Sequence, residues 1–286
     1  MREIGQLNPA ILLERSSRRI IVCGFRRLMA LRRLGRTVAL ALIYSDYSPL
    51  EAFRLAVFDN LAHRDFSPLE KARILFTLKN QCGVAHDTLV QEYLPLLGLP
   101  AHKKWLRTYL AVHVLDPGLR SLFNDGHLSL ASVERLSAVS GSAQTRFASL
   151  LARIRLSTSR QRELLDIAEG LAAVTDTELG EIFGLAEIQS LLEDSRFSPF
   201  QKGERVYDVL YRRRYPRLSG AERQFQLKRA QLCLPGGVSI SPDPYFETPR
   251  LRIEFDVTSA QRFREIAAAL REAAETPLLD DLFSVD

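Results

Sequence analysis

The chain has 286 residues, with 39 Lys and Arg against 34 Asp and Glu, for a formal charge of +5 and a pI near 9.2. Hydrophobic residues make up 46% at a mean hydropathy of −0.07, which excludes disordered and fibrous architectures and leaves room for two or three modest domains. The longest apolar run, Val38 to Tyr44, is far short of the roughly 20 residues that span a bilayer.

The opening Met1-Arg2-Glu3 does not begin a secretory signal. Three widely spaced cysteines, Cys23, Cys82 and Cys233, make neither a disulfide framework nor a metal clip. A reducing, cytoplasmic setting away from membranes is expected. Charge is uneven, because residues 1 to 37 hold nine arginines against two glutamates.

In chain order, Pro9 to Leu13 and Arg19 to Val22 read as short strands joined by the polar link Glu14 to Arg18. Gly24 then ends an apolar run, and a helical pattern follows to Leu34, with Leu28, Leu31 and Leu34 on one stripe and Gly35 as its stop. A strand, a glycine and a helix start present free N–H groups and a positive dipole end to a phosphate. Arg26 and Arg27 stand in that first turn as phosphate donors. Read alone, they also suit a solvated face. Val38 to Tyr44 reads as a third strand and residues 49 to 60 as a helix, which makes the first sixty-odd residues a small α/β unit.

Beyond it the pattern is almost wholly helical. Ser67-Pro68-Leu69-Glu70 is a capping box with proline at the first helical position and launches a helix to Gln81. Helices are expected over 87 to 97, with Pro95 kinking or shortening the run, and over 101 to 115, then over 118 to 124 and 129 to 137. Further helices are expected from Thr158 to Leu171, 177 to 192, 202 to 214 and 219 to 233, with capping boxes at Thr158/Gln161 and Ser219/Glu222. Two strands, 238 to 241 and 251 to 257, precede a helix capped by Thr258 that ends near Ala274. The last residues, with Glu275, Asp280, Asp281 and Asp286 and no base, read as a mobile acidic tail.

Three segments in this order carry a resemblance. Gly24-Phe25-Arg26-Arg27-Leu28-Met29-Ala30 follows a strand; Asp59-Asn60-Leu61-Ala62-His63-Arg64 precedes the Ser67 box; a helical pair then spans Leu89 to Leu97 and His102 to His113. Over about residues 4 to 137 the chain resembles the ParB family of partition proteins, whose typical runs are G-E-R-R-x-R-A and E-N-x-x-R-x-x-L-x-P-x-E-x-A. The fold class it implies is α+β and mostly helical. It comprises a ParB/sulfiredoxin-like domain over 1–64, N-terminally truncated relative to the family, and a helix-turn-helix domain over 65–140. A helical region over 141–235 follows, then a strand-plus-helix unit over 236–275 for dimerisation and an acidic tail over 276–286.

The function implied is a DNA-binding protein gated by CTP and Mg²⁺ in chromosome or plasmid partition. By the resemblance, Asn8, Gly24, Arg26, Arg27, Asn60 and Arg64 form the nucleotide set, and Asp59 and Asn60 lie nearest the metal. Magnesium suits such hard oxygen donors. Asp59 and Asn60 read alone are equally a plain helix end. Phe25 stands where the family has glutamate, which leaves a weak CTPase as the only enzyme implied and argues against efficient hydrolysis. Cys23 precedes Gly24 instead of following it as in sulfiredoxins, so a buried structural thiol is expected.

The expected DNA contacts are His102, Lys103, Lys104, Arg107 and Thr108, on a helix whose stripe Leu106, Leu110 and Val114 faces inward and whose Trp105 belongs to the core. Arg212-Arg213-Arg214, Arg217 and Arg223 form a second basic cluster, read either as an auxiliary DNA surface or as a solvated face. The partners implied are DNA, a second copy of the chain and a partition ATPase, with nucleoid or plasmid association. Rival readings are a nucleotide-dependent kinase or nuclease on the same scaffold, or a transcriptional regulator indifferent to nucleotide. Histidine metal clusters are not expected, since His63, His86, His102, His113 and His127 lack ligand spacing.

Overall fold

The computed structural model describes residues 2–16 and 18–283. It is mostly helical with two small sheets, an α+β architecture, and falls into two compact units, Met1–Ala152 and Arg153–Asp286. Among the described residues no helix is long and apolar enough to cross a membrane.

In the first unit, β1 (Ala10–Arg15) is the central strand, paired antiparallel with β2 (Arg18–Cys23) and parallel with β3 (Ala41–Tyr44). A parallel pair needs a crossover, and α1 (Phe25–Arg33) supplies it. β3 is shorter than the apolar run that suggested it, because Gln6 pairs its side-chain amide reciprocally with the backbone N–H and carbonyl of Leu40 at 2.8 Å each and so ends the run before the ladder begins. The helix α2 (Pro49–Leu61) opens on a full capping box of Ser48 and Glu51 and packs on β2, burying Ala52 and Val57.

The helix α3 (Pro68–Asn80) starts where the sequence predicts, with Ser67 and Glu70 capping each other's backbone N–H groups. Arg64 reinforces that start through two 2.8 Å bonds to the Glu70 carboxylate. The next run is built from α4 (His86–Thr88), a π-helical turn (Leu89–Tyr93) and α5 (Leu94–Leu96). Pro95 cannot donate a backbone bond and its ring crowds the carbonyl one turn earlier, and a π-turn just ahead of it absorbs the mismatch. The unit continues with α6 (Lys103–Val112), α7 (Pro117–Asn124), α8 (Leu130–Leu136) and α9 (Gly141–Leu151). The last of these has no counterpart in the sequence reading: its start is Gly141-Ser142-Ala143, and its core face mixes Phe147 and Leu151 with the small residues Ala143 and Ala148.

In the second unit, α10 (Thr158–Thr175) is capped by Ser157, one residue before the expected Thr158. The single helix expected over 177 to 192 is two, α11 (Leu179–Phe183) and α12 (Ala186–Glu193), separated at Gly184. Then come α13 (Pro199–Arg214) and α14 (Pro216–Gln231). Ser219 caps nothing; Pro216, with its φ already helical, starts α14 earlier, and the Ser219 hydroxyl donates back to the Pro216 carbonyl at 3.2 Å. A hairpin of β4 (Val238–Pro242) and β5 (Leu251–Phe255) precedes α15 (Ala260–Ala274), capped by Ser259 instead of Thr258.

The expected mobile tail is corrected in part. Over its described residues it forms α16 (Pro277–Phe283), and Asp286 lies outside the described residues. Leu282 is only 3% exposed in a cluster with Phe225, Leu232, Ile240 and Ala273. Lys228 Nζ donates to the Asp281 carbonyl at 2.8 Å. The acidic residues were legible as a charged stretch, but the apolar anchors between them decide its fate.

Two predictions follow from these packings. Leu282→Ala removes a fully packed anchor and should lower unfolding free energy by about 2–3 kcal/mol, whereas Phe283→Ala, at a residue 47% exposed, should cost far less; urea denaturation of both variants measures the difference. The second concerns Glu70, whose carboxyl is pulled down to about 2 chiefly by the hydrogen bonds from Arg64, against the opposing effect of burial, with the Ser67 N–H adding to the fall. A depressed carboxylate contributes stability that is present above its unfolded value and lost as pH falls through the folded one. Glu70→Gln keeps a capping side chain, so at neutral pH it should cost no more than about 1 kcal/mol, the pair being largely solvent-exposed. That difference should vanish between pH 4.5 and about 2, as urea melts across that window will show.

Candidate functional site

Two places in the first unit present cationic groups around a helix start. The first is the N-terminus of α1. Gly24 is its cap residue at φ +92°, it offers no side-chain cap, and the first turn holds no acidic residue. A Cβ at position 24 would sit 3.1 Å from both Cα and Cβ of Ala10. Glycine is therefore required twice over, by backbone conformation and by the close approach of α1 to β1.

That approach sets the position of Arg27. Its Nη1 donates to the Pro9 carbonyl at 2.6 Å, and its Nη2 lies 3.6 Å from the Asp59 carboxylate in the last turn of α2. Arg26, by contrast, is exposed, as is Phe25 at 58%. Cys23 is buried beside this pair, and burial first, then the charge and hydrogen bond of Asp59, push its thiol up to about 12. Such a thiol stays protonated and inert near neutrality, as expected of a structural cysteine.

The remaining residues expected here fall into three groups. Asn60 turns its amide onto the Ala56 carbonyl at 2.8 Å, within α2. Asn8 is exposed, and its carbonyl accepts from Gln6 Nε2 at 3.0 Å. Arg64 is committed to Glu70, with its guanidinium 5.1 Å from the Phe66 ring, and serves the start of α3. The structure thus brings together Pro9, Cys23, Gly24, Arg27 and Asp59, and not the full expected set. Gln6 is the functional-looking residue that the sequence reading passed over; its partners are the backbone groups of residue 40, so no side-chain pattern could reveal it.

The cradle at Gly24 and the acid-free first turn fit a phosphate group. The donors do not fit a preformed cation site. Asp59 faces Arg27, and among the described residues no group of three His, Cys, Asp or Glu could hold a metal ion.

The second place is the start of α6. His102 caps it, Nδ1 accepting from the Lys104 N–H at 3.1 Å. A cleft of about 620 Å³ opens there, lined by Lys79, His86, His102, Lys103, Lys104 and Arg107, with Leu110 as its apolar wall and no carboxylate in its lining among the described residues. Lys79 and His86 join from α3 and α4, elements too distant in sequence to have been grouped with α6 by pattern.

Two expectations about α6 are corrected. The buried stripe is Leu106, Tyr109 and Val112, while Leu110 is half-buried and Val114 is 61% exposed beyond the helix end. Thr108 is buried, and its hydroxyl contacts the Glu134 carboxylate at 2.8 Å and the Lys104 carbonyl at 3.0 Å, so it anchors α6 to α8 and does not face the cleft. Arg107 spans 3.2 and 3.4 Å to the same carboxylate while remaining exposed. The Thr108 hydroxyl is the main cause that holds the Glu134 carboxyl below its usual range, with Arg107 adding to it. Trp105 is half-buried and stacks on Tyr109, as a core residue would.

No family model matches the chain. It is 36% identical over 109 residues to the probable chromosome 1-partitioning protein ParB of Deinococcus radiodurans, covering 35% of this chain and 38% of that protein. It is 31% identical over 91 residues to the probable chromosome-partitioning protein ParB of Campylobacter jejuni, covering 32% of each. The chain therefore spans little more than a third of the length of the curated relatives it matches. Among solved structures, C-terminally truncated ParB from Caulobacter crescentus complexed to the centromeric parS site matches 52% of this chain and 77% of its own, at 15% identity and a TM-score of 0.32. The same protein complexed with CTP-gamma-S matches 53% of this chain and 81% of its own, at 18% identity and a TM-score of 0.22. The likeness to ParB proteins is carried by the two sequence relatives together with the motif order of residues 24–30 and 59–72. Over the third of its length that it shares with them, the chain is similar to these ParB partition proteins.

Proposed function

We propose that this chain is a ParB-like partition protein that binds duplex DNA through the start of α6 and a nucleotide phosphate through the start of α1. The observation that carries the DNA reading is the cleft lined by Lys103, Lys104 and Arg107, in which the carboxylates that pair with Lys103 and Arg107, Asp87 and Glu134, stand outside the lining. Cations so placed neutralise backbone phosphates and release counterions, which dominates affinity and makes it salt-dependent. In this reading α4 to α6 form the helix-turn-helix, and His102, Lys103, Lys104 and Arg107 make the contacts while Thr108 holds the helix in place. The double variant Lys104→Ala/Arg107→Ala should weaken duplex binding about tenfold or more and flatten the slope of log affinity against log salt by about one to two. Fluorescence anisotropy over a salt series measures both, and an unchanged slope would sink the assignment.

The nucleotide reading takes CTP, the family's ligand, at the α1 start, with the Gly24 backbone and Arg26 on its phosphates. Arg27 is the coupling element. It ties Pro9 at the edge of β1 to Asp59, and the chain runs from Asp59 through Arg64 to the Ser67 cap of α3. A phosphate that draws Arg27 toward α1 weakens its hold on Asp59 and so loosens the segment leading into the DNA-binding helices. No step is assigned to Mg²⁺, since the residues do not form a cation site on their own.

Arg26→Ala should weaken CTP binding about tenfold without lowering the melting temperature, since this side chain is exposed; Arg27→Ala should lose binding and stability together. Calorimetric titration alongside thermal melts checks both, and equal CTP affinity in wild type and Arg26→Ala would refute the phosphate contact. The reading extends to a homodimer through the β4–β5 and α15 unit, whose Ile253, Val257 and Phe263 are exposed, and to a partition ATPase as partner.

A further inference from the structure

In the second unit α13 and α14 meet at Tyr215, and together with the β4–β5 connection they enclose a cleft of about 770 Å³. One wall is aromatic. Tyr211 of α13 lines the cleft, and its ring centroid lies 6.0 Å from that of Tyr207 one turn earlier and 5.3 Å from that of Tyr215, the residue that caps the helix. Phe246, which also lines it, packs edge-on against the buried Phe225, with Pro242 and Pro244 beside it.

The rim is cationic. Arg212 on α13 and Arg223 on α14 are exposed and line the cleft, and Arg217 lies between them in sequence, also exposed. Of the two carboxylates in the lining, Glu222 accepts the Tyr211 hydroxyl at 3.0 Å and fixes that ring in place. Asp208 is the other; its backbone carbonyl, not its carboxylate, holds Arg212 through Nε at 3.1 Å, which leaves the outer edge of that guanidinium turned away from the bond.

A cleft with flat apolar faces inside and guanidinium groups at its mouth matches an unpaired base joined to its phosphate. The base stacks on the rings whatever its identity, and the arginines take the backbone. A duplex keeps its base faces covered and cannot use the interior, and an acidic peptide would use the rim while leaving the aromatic wall unmatched. We propose that this cleft is a binding site for single-stranded nucleic acid, separate from the duplex-binding face of the first unit and independent of it.

The test uses the full chain, a fluorescein-labelled single-stranded DNA of mixed sequence, the duplex of the same sequence, and polyglutamate as a competitor. Arg212→Ala/Arg223→Ala should weaken single-strand binding about tenfold or more with a shallower salt slope, and leave duplex affinity as it was. Tyr211→Leu, checked for folding by thermal melting, should also weaken the single strand about tenfold. Lys103→Ala/Lys104→Ala should do the reverse, lowering duplex affinity alone. Three results would each overturn the proposal: single-strand affinity unchanged by the paired arginine substitutions, loss of duplex and single-strand binding in equal measure, or polyglutamate displacing the oligonucleotide as well as an unlabelled single strand does. The arginine pair is on the surface, so the test stands even where Tyr211→Leu does not fold.

Discussion

The contact on which the first unit depends is the one that lets α1 lie over β1. A Cβ at position 24 would crowd Ala10 at 3.1 Å, and the backbone there takes φ +92°, where an L side chain is strained, so glycine suits the place on both counts. Because Gly24 permits the approach, Arg27 reaches two elements at once, the Pro9 carbonyl and the Asp59 carboxylate. The charge-assisted bond to Pro9 is the stronger of the two. At 3.6 Å and partly open to solvent, the Asp59 pair contributes little by itself. The proposed coupling role of Arg27 calls for a weak pair, since a tightly held arginine could not exchange a carboxylate for a phosphate. Burial, and after it the Asp59 carboxylate that the same geometry keeps beside the Cys23 thiol, leaves that cysteine inert in spite of its place next to a helix start.

The two anion-facing places achieve positive potential in different ways. At α1 the device is subtraction: a cap with no side chain and a first turn with no acid leave the backbone N–H groups and the dipole uncovered. At α6 it is assembly, with side chains from α3, α4 and α6 converging on one cleft. Within that cleft the cations are not equivalent. Lys103 lies 3.8 Å from the exposed carboxylate of Asp87, and Arg107 is held by Glu134, itself fixed by Thr108. Glu134 both offsets the charge of Arg107 and restricts where its guanidinium points, a trade of affinity for orientation that suits recognition of a fixed surface. Lys104 carries the more freely available charge.

How much of this was legible in the sequence depended on whether the deciding interaction was local. The Ser67 to Glu70 start of α3 was readable because cap, proline and glutamate lie within four residues. Thr158, Ser219 and Thr258 matched the same pattern and failed, because a neighbouring Ser157, Pro216 or Ser259 starts the helix instead, and the pattern cannot rank adjacent candidates. Gly24 and Arg27 were legible as a strand-glycine-helix junction, whereas the pairing of Arg27 with Asp59 joins residues more than thirty positions apart. Arg64, whose place in a motif suggested a phosphate ligand, is bonded to Glu70, six residues on. The α9 helix went unread because alanines and a phenylalanine on its inner face bury well without producing a strong apolar period.

The run Arg212-Arg213-Arg214 carries that argument into the second unit. Successive helical residues point about 100° apart, so three like residues in a row meet three different surroundings. Arg213 pairs with Glu187 on α12 at 3.1 Å. Arg214 runs across Gly170 of α10, where a Cβ would come within 2.7 Å of its Nε, and its guanidinium rests 4.8 Å from the Tyr215 ring. Its Nε is buried without a hydrogen-bond partner, a cost accepted for the packing of α10 on α13 that the glycine makes possible. Arg212 alone is left at the cleft rim. A sequence reading that counts three positive charges there overstates the surface charge of α13, and the two arginines that matter for an anion, Arg212 and Arg223, come from different helices. What the run suggested as one basic patch is, in the fold, one interhelical ion pair, one packing side chain, and one half of a binding rim.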